Sequence, residues 1–379
     1  MAQRIKVLHV VTRMNVGGVA VLIDNLMDNF DRAEIEPVLI TGRCESPERD
    51  YLAGKPVGYK LIELSAFHKS FALRDDIKAF FQIAAYIRRF KPDVIHTHTS
   101  KAGLFGRIAG LLFYPRAKRL HTFHGHLLVG YFSPTALSIV KFIERTLGLF
   151  SSKLVAMGTQ VRDDLFAAGI APQSKFRVFF PGLKKLQLLD RYECQKALNL
   201  NGEKVYCVFV GRLTQIKRPD RLLKVAEIVA AETKSVEFLI VGDGDLSQET
   251  KDFANKEQLP MRFLGWREDI DAILAASDIA ILVSDNEAVA LTLIEASQAG
   301  LPIVTTPAGS VKDIAVDRLN ALVSDFSASD LAKNVLKLAS DPNLRKQLGE
   351  AGRVLADEKF SIPRMVSSHV SLYKDLLRK

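Results

Sequence analysis

Short runs of β-branched and other apolar residues alternate along this chain with stretches whose apolar positions recur at helical spacing. Ile5-Lys-Val-Leu-His-Val-Val11 reads as an opening strand, and after the glycine pair Gly17-Gly18 a helix runs through Phe30. Residues 37–40 are strand-like. Residues 75–90 read as a helix with Ile77, Phe80, Phe81, Ala84 and Ile87 at helical spacing, followed by a strand at 92–98, a helix at 102–113 and a strand at 119–123. Ser133-Pro134 supplies a cap and first helical residue for a helix to about 149. Strands are expected at 153–157 and 176–180, Pro181-Gly182 closes the block, and 183–200 is a linker with a helix. A second block repeats the plan. Strands are expected at 205–210, 236–241, 262–266, 278–284 and 303–306, and helices begin near Pro219 and beyond Glu287, the latter stopping at Gly300-Leu301-Pro302. Residues 361–379 form a final amphipathic helix. Such alternation implies parallel, doubly wound α/β sheets, and 379 residues are too many for one core. Two domains are therefore expected, at 1–182 and 183–360, with the last helix at 361–379.

Composition changes this picture little. The chain is 48% apolar and 25% charged, as soluble globular proteins are. The longest uncharged run, 121–140, holds three histidines, Ser133 and Pro134, so no membrane span is expected. No basic, apolar leader opens the chain, and Cys44, Cys194 and Cys207 form no close pair, which fits a cytoplasmic protein without a cysteine metal site. Charge is more informative. Residues 1–180 carry 25 Lys and Arg against 15 Asp and Glu, whereas the remainder carries 27 against 28. The whole positive excess lies in the first half, which suits anionic lipid or an anionic acceptor, although solubility alone also explains it. Neither a recognition helix nor an aromatic-basic motif is present, so nucleic acid is not an expected partner. The apolar helix from 134 could pack inside the domain or dip into a membrane interface.

The candidate chemistry lies at strand ends. Glu287 falls on the loop after the 278–284 strand and Glu295 a turn or two into the next helix, at the sheet edge where open α/β folds bind ligands. A strand also delivers Arg212 and Lys217 onto a loop ahead of a helix, two cations that suit a diphosphate or simply form a solvated basic loop. Gly17-Gly18 would let a phosphate or sugar approach the backbone, as would any tight turn. Gly242-Asp-Gly244 signals a turn only. Trp266 could stack on a base or fill a gap. His96, His98, His121, His124 and His126 crowd one region. With few carboxylates or cysteines nearby, substrate contact is expected there rather than metal, and His96 and His98 should share one face of a strand.

Taken in order, the motifs Gly17-Gly18; His96-Thr-His-Thr-Ser-Lys-Ala-Gly103 with Gly106-Arg107; Thr122-Phe-His124-Gly125-His126 with Gly130-Tyr131-Phe132; Gly211-Arg212 with Lys217; Val241-Gly-Asp-Gly244; Phe263-Leu-Gly265; and Glu287 with Glu295-Ala296 resemble family 4 glycosyltransferases, retaining enzymes of the GT-B type. The resemblance spans almost the whole chain, and the histidine-rich motifs are similar to those of bacterial transferases that build capsule, O-antigen and exopolysaccharide. It implies two Rossmann-like domains facing a cleft, the first binding acceptor and the second nucleotide sugar, with the last helix crossing back to the first.

The resemblance also implies roles. Arg212 and Lys217 would bind the donor diphosphate and stabilise the leaving nucleotide, Glu295 would hold the ribose hydroxyls, and Glu287 would contact the sugar. Amides around Val289, Ala290 and Leu291 would face diphosphate or sugar, joined at the donor by Gly17, Gly18, Gly265 and Trp266. His124 would lie beside the sugar from the opposite domain; His98, Lys101 and His126 would lie on the acceptor side. The donor would be a nucleotide diphosphate sugar, with UDP expected, and the acceptor lipid-linked or a glycan, at the inner face of the cytoplasmic membrane; no cofactor, metal or protein nucleophile is implied. Ala288 and Ala290 depart from glycine or proline residues frequent in the family, Gly158 from a serine, Ala308-Gly309-Ser310 from a glycine pair, and Leu183-Lys184-Lys185 lacks a common acidic residue. A Cβ at 288 or 290 could shrink the sugar pocket or forbid a left-handed backbone. A hydrolysing nucleotide-sugar epimerase, or a non-catalytic glycan-binding protein of the same fold, are the alternative functions.

Overall fold

A computed structural model describes residues 4–46, 48–125, 134–187 and 189–378. The chain forms two compact units, Met1–Lys184 with Ile362–Lys379, and Lys185–Ser361. Among the described residues the first unit holds a parallel sheet in the order β3-β2-β1-β4-β5-β6-β7. Its strands are β1 (Ile5–Arg13), β2 (Ile35–Gly42), β3 (Lys60–Leu64), β4 (Val94–His98), β5 (Lys118–Phe123), β6 (Lys153–Ala156) and β7 (Phe176–Val178). Helices α1 (Gly18–Asp28), α2 (Leu73–Phe90), α3 (Ser100–Phe113), α4 (Pro134–Phe150) and α5 (Thr159–Ala167) connect them. Strands covered on both faces must be apolar along their length, and β1 is buried from Val7 through Thr12.

The second unit repeats the plan with β8 (Val205–Val210), β9 (Val236–Val241), β10 (Met261–Gly265), β11 (Ile279–Leu282), β12 (Ile303–Thr305) and β13 (Ala321–Val323), in the order β10-β9-β8-β11-β12-β13. Its helices are α6 (Arg191–Ala197), α7 (Pro219–Glu232), α8 (Ser247–Lys256), α9 (Ile270–Ala276), α10 (Leu291–Gln298), α11 (Ala328–Ser340) and α12 (Pro342–Lys359). In both sheets the strand order reverses beside the first strand, at β1/β4 and at β8/β11, which leaves a crevice beyond the carboxyl ends of each pair.

The last helix, α13 (Ile362–Leu377), belongs to the first unit. It buries Met365, His369, Leu372 and Tyr373, and the Tyr373 hydroxyl lies 2.8 Å from His96 Nδ1 on β4. Periodicity misplaces one face. Helix α2 buries Ala79, Ile83, Ala84 and Ile87, while Ile77 and Phe81 are 50% and 56% exposed. Phe80 and Phe81 meet Phe113 of α3 at the edge of the core instead of filling it. Strands β3 and β13 and helices α5, α8, α9, α11 and α12 lie outside the sequence expectations. Small residues explain the Gly103, Gly106-Arg107 motif. A Cβ at Gly103 would lie 2.6 Å from His121 and one at Gly106 2.5 Å from Thr97, so α3 can lie hard against β4 and β5. Arg107 is buried and gives two bonds of 2.8 and 2.9 Å to Glu144, tying α3 to α4.

Candidate active site

The carboxyl ends of β8 and β11 in the second unit gather most of the expected donor residues. Gly211 N–H donates to Val241 O, Leu213 N–H to Asp243 O, and Leu246 N–H to Leu213 O, at 2.9–3.1 Å. The loop after β9 thus lies flat on the loop after β8. Gly242 and Gly244 permit this, since a Cβ would stand 2.1 Å from Gly211 O in one case and 2.4 Å from Leu213 O in the other. The Gly-x-Gly motif therefore shapes the Arg212 loop. Arg212 itself is exposed, and its guanidinium has no hydrogen bond or ion pair among the described residues. Beyond it, Arg218 and Arg221 both hold Asp285, Arg221 Nη1 donates to Val283 O at 2.5 Å, and Asp285 N–H donates to Ile216 O. These bonds lock the 211–218 and 283–290 loops together.

Lys217 and Glu287 meet across the two loops. Lys217 Nζ lies 2.5 Å from Glu287 Oε1, and Ser284 Oγ donates to the same oxygen at 2.6 Å. Both side chains are largely buried, at 18% and 8% exposure, so the contact is a charge-assisted bond out of bulk water. The expected division, with Lys217 on phosphate and Glu287 on sugar, is replaced in the ligand-free chain by a direct pair. The departures at 288 and 290 impose no backbone strain. Neither alanine has a positive φ; Ala290 sits at φ −84°, ψ 82° and is buried. At the third departure the left-handed position falls on Gly309, at φ 56°, and Ala308 takes an ordinary conformation.

Ala290 begins α10 without a side-chain cap. The N–H groups of Val289, Ala290 and Thr292 have no protein acceptor among the described residues. They leave the positive end of a helix dipole open. One turn on, Glu295 carries no protein donor among the described residues. Burial, and then the charge of Asp271, raise its carboxyl to about 7. Gly265 ends β10 in a left-handed turn at φ 65°, and Trp266 is 56% exposed, so it does not fill a core gap.

In the first unit, exposed Gly17 and Gly18 open α1 directly after β1. Thr12 at the end of β1 pairs with Thr99 after β4, hydroxyl to hydroxyl at 2.7 Å. Thr99 holds φ 64°, ψ 158°, a conformation that strains any residue but glycine. Nothing in the local sequence signals it. His96 and His98 do share a face of β4, with ring centroids 4.3 Å apart. Their partners come from elements far away in sequence. His9 Nδ1 is 3.0 Å from His98 Nε2, His98 Nδ1 is 2.9 Å from His124 Nε2, and His96 bonds Tyr373 and Thr122. His9, mid-way along a plain apolar strand, gave no sequence signal.

Two residues expected on the acceptor side are engaged within the ligand-free chain. Both nitrogens of buried His98 are taken by other histidines. Lys101 is buried at the start of α3, and its ammonium is spent on Asp76 and the carbonyls of His68 and Ser70. In the ligand-free chain both are fully partnered among the described residues. His126 and the 130–132 motif lie outside the described residues. The nitrogens of His9, His96 and His98 come within 4.8 Å of one another, close enough for a metal. All six ring nitrogens, however, already have hydrogen-bond partners in histidine, tyrosine or threonine.

Comparison with known proteins matches these two units to two family models. Residues 16–184 match Glycosyltransferase Family 4, and residues 190–355 match Glycosyl transferases group 1. The chain belongs to the family 4 glycosyltransferases. Among curated relatives, this glycosyltransferase is 26% identical over 327 residues to the UDP-Gal:alpha-D-GlcNAc-diphosphoundecaprenol alpha-1,3-galactosyltransferase of Escherichia coli, covering 82% of each chain. It is 22% identical to the capsular polysaccharide biosynthesis glycosyltransferase CapM of Staphylococcus aureus, covering 82% of this chain and 84% of that one. The fold is that of GT-B enzymes. The Anabaena Alr3699/HepE structure in complex with UDP superposes with a TM-score of 0.81 at 18% identity, over 98% of this chain and 100% of the other.

Proposed function

We propose that this glycosyltransferase moves a sugar from a UDP-sugar to a lipid-linked or glycan acceptor, with retention of the anomeric configuration, in cell-surface polysaccharide synthesis. The observation that carries the donor assignment is a pair of groups at α10 left unmet among the described residues: open N–H groups at its start, suited to phosphate oxygens, and the Glu295 carboxyl one turn on, suited to two ribose hydroxyls. Arg212, unpaired and held by the Gly242–Gly244 contact, would meet the charge that develops on the departing diphosphate. Lys217 would do the same once the ligand competes with Glu287 for it, freeing Glu287 for a sugar hydroxyl. Attack on the face the nucleotide leaves, with the departing phosphate taking the acceptor proton, calls on no protein nucleophile and no metal.

The likeness to a galactosyltransferase that acts on a diphosphoundecaprenol-linked sugar, and to a capsular enzyme, supports the acceptor class. Likeness to structures holding UDP supports the nucleotide. Peripheral attachment to an anionic membrane belongs to the same proposal. It rests on the basic first half and on α4, where Ile139, Phe142 and Leu149 stand 57–71% exposed beside Lys141 and Arg145. No helix among the described residues is long and apolar enough to cross a membrane.

Thermal-shift screening against nucleotides and nucleotide sugars tests the donor: UDP and one or more UDP-sugars should raise the melting temperature, and no response to any uridine nucleotide would refute the choice of base. Incubation with UDP-N-acetylglucosamine and no acceptor separates transfer from epimerisation. A transferase yields at most slow hydrolysis, whereas an epimerase yields a different sugar.

A further inference from the structure

Four histidines, a tyrosine and a threonine of the first unit make one unbroken hydrogen-bonded chain. Thr122 Oγ1 lies 2.7 Å from His96 Nε2, and His96 Nδ1 lies 2.8 Å from the Tyr373 hydroxyl. That hydroxyl is 3.4 Å from His9 Nε2; His9 Nδ1 is 3.0 Å from His98 Nε2; and His98 Nδ1 is 2.9 Å from His124 Nε2. The chain stops at His124 Nδ1, a buried nitrogen with no partner among the described residues. Burial holds the rings neutral, bringing His9 and His124 down to about 3 and His96 and His98 well below the usual imidazole range. It also pushes the Tyr373 phenol up.

A neutral imidazole has one N–H and one bare nitrogen, and each link carries one proton. The direction of a link fixes its neighbours except at the Tyr373 hydroxyl, whose two lone pairs also let it accept from His96 and His9 at once. That arrangement fills every link but strands the Tyr373 hydrogen and leaves His124 Nδ1 bare; two others fill them all. In the first, His124 donates to His98, His98 to His9, His9 to Tyr373, Tyr373 to His96 and His96 to Thr122. This strands two groups, the Thr122 hydroxyl hydrogen, which has no other acceptor among the described residues, and a bare His124 Nδ1. In the second every bond reverses, Thr122 donates to His96, and the single unmet donor is His124 Nδ1–H. Buried polar groups without partners are costly, so the second arrangement prevails.

We infer that this chain is a positioning relay in which Thr122 and Tyr373 set the hydrogen-bond direction, so that His124 presents Nδ1–H to an oxygen of the bound ligand. His9, His96 and His98 pass the direction on and touch no ligand themselves. Through Tyr373 the final helix takes part in fixing the polarity of a site formed by the end of β5. The ligand oxygen is that of a sugar hydroxyl, and only this identity rests on the donor reading above; the relay stands on the ligand-free geometry.

The test is nitrogen NMR of the full-length protein labelled at histidine, at neutral pH and without ligand. His9, His96, His98 and His124 should all be neutral Nδ1–H tautomers. Tyr373→Phe cuts the chain, and His9, His98 and His124 should lose their single tautomer together. Should that variant fail to fold, Thr122→Val and Thr122→Ser serve at the other end: valine should cost all four rings their uniform tautomer and serine should preserve it. Nε2–H or charged rings in the wild type overturn the relay, as do tautomers that ignore these substitutions. A wild-type spectrum that changes on EDTA treatment also overturns it, by placing a metal among His9, His96 and His98. A UDP-sugar that binds yet leaves the His124 resonances unmoved refutes the sugar contact and leaves the ligand-free tautomers to decide the relay.

Discussion

To serve the proposed ribose contact, the carboxyl of Glu295 must lose its proton, and in the empty site it holds that proton to about pH 7. The folded chain therefore binds a proton that the unfolded chain gives up near the ordinary value of 4.5, so this residue lowers stability as pH rises across that window and adds no further slope above it. Buried neutral histidines act the other way, because unfolding lets them take up protons below their usual value. The difference between wild type and Glu295→Gln isolates the glutamate: between about pH 5 and about pH 8 the wild-type melting temperature should fall relative to the variant. UDP binding should release protons in the wild type and strengthen towards about pH 8, and calorimetry in buffers of different ionisation enthalpy should show both effects disappear in Glu295→Gln. Arg212→Ala removes a cation that has no partner to reorganise among the described residues. Turnover with the preferred donor should drop by roughly 100- to 1000-fold, as when one pre-placed charge-stabilising donor is lost, with little change in the melting temperature of the free protein.

At the level of elements, the loop after β8 is held by backbone packing as much as by its own bonds. Gly244→Ala drives a Cβ towards Leu213 O and should cost about 1–3 kcal/mol in urea unfolding while also weakening UDP binding, because Arg212 moves with the loop. Gly349→Ala, whose Cβ would stand 2.0 Å from Gly300 O, should be as destabilising but act through the packing of α12 on the end of α10. These contacts mark what could be read in the sequence. The strand ending at Val210, the helix starting at Pro219 and the placement of Glu287 before α10 and Glu295 within it follow from local periodicity and stop signals. The Gly242–Gly211 contact, the Lys217–Glu287 pair and the bond between His9 and His98 join residues 31, 70 and 89 positions apart, and no local pattern encodes such contacts. The exposed Ile77 and Phe81 show the same limit in reverse, since several apolar arcs of α2 fit a helical period and only α3 and the sheet decide which one is buried. Lys101 shows a related limit: a motif position says nothing of whether an ammonium reaches solvent or, as in the ligand-free chain, three oxygens of its own domain.

Across the molecule, two sheets of the same winding carry different chemistry at their switch points. The second presents cations, open amides and a partnerless carboxyl; the first presents neutral imidazoles, a strained Thr99 and a basic surface. A partition of that kind suits one ligand rich in phosphate and another met largely through hydroxyl groups and a charged membrane. If α4 meets the membrane, replacing Phe142 and Leu149 together by serine should reduce sedimentation with anionic vesicles several-fold without lowering UDP affinity, and unchanged vesicle binding would remove α4 from that role. The donor site is the claim on which the rest depends, and calorimetric titration with UDP tests it most directly. Saturable binding of one UDP per chain is expected, weakened at least about tenfold in both Arg212→Ala and Glu295→Gln, a loss of about 1.4 kcal/mol or more. Absence of UDP binding, or binding that neither substitution weakens, would contradict the assignment.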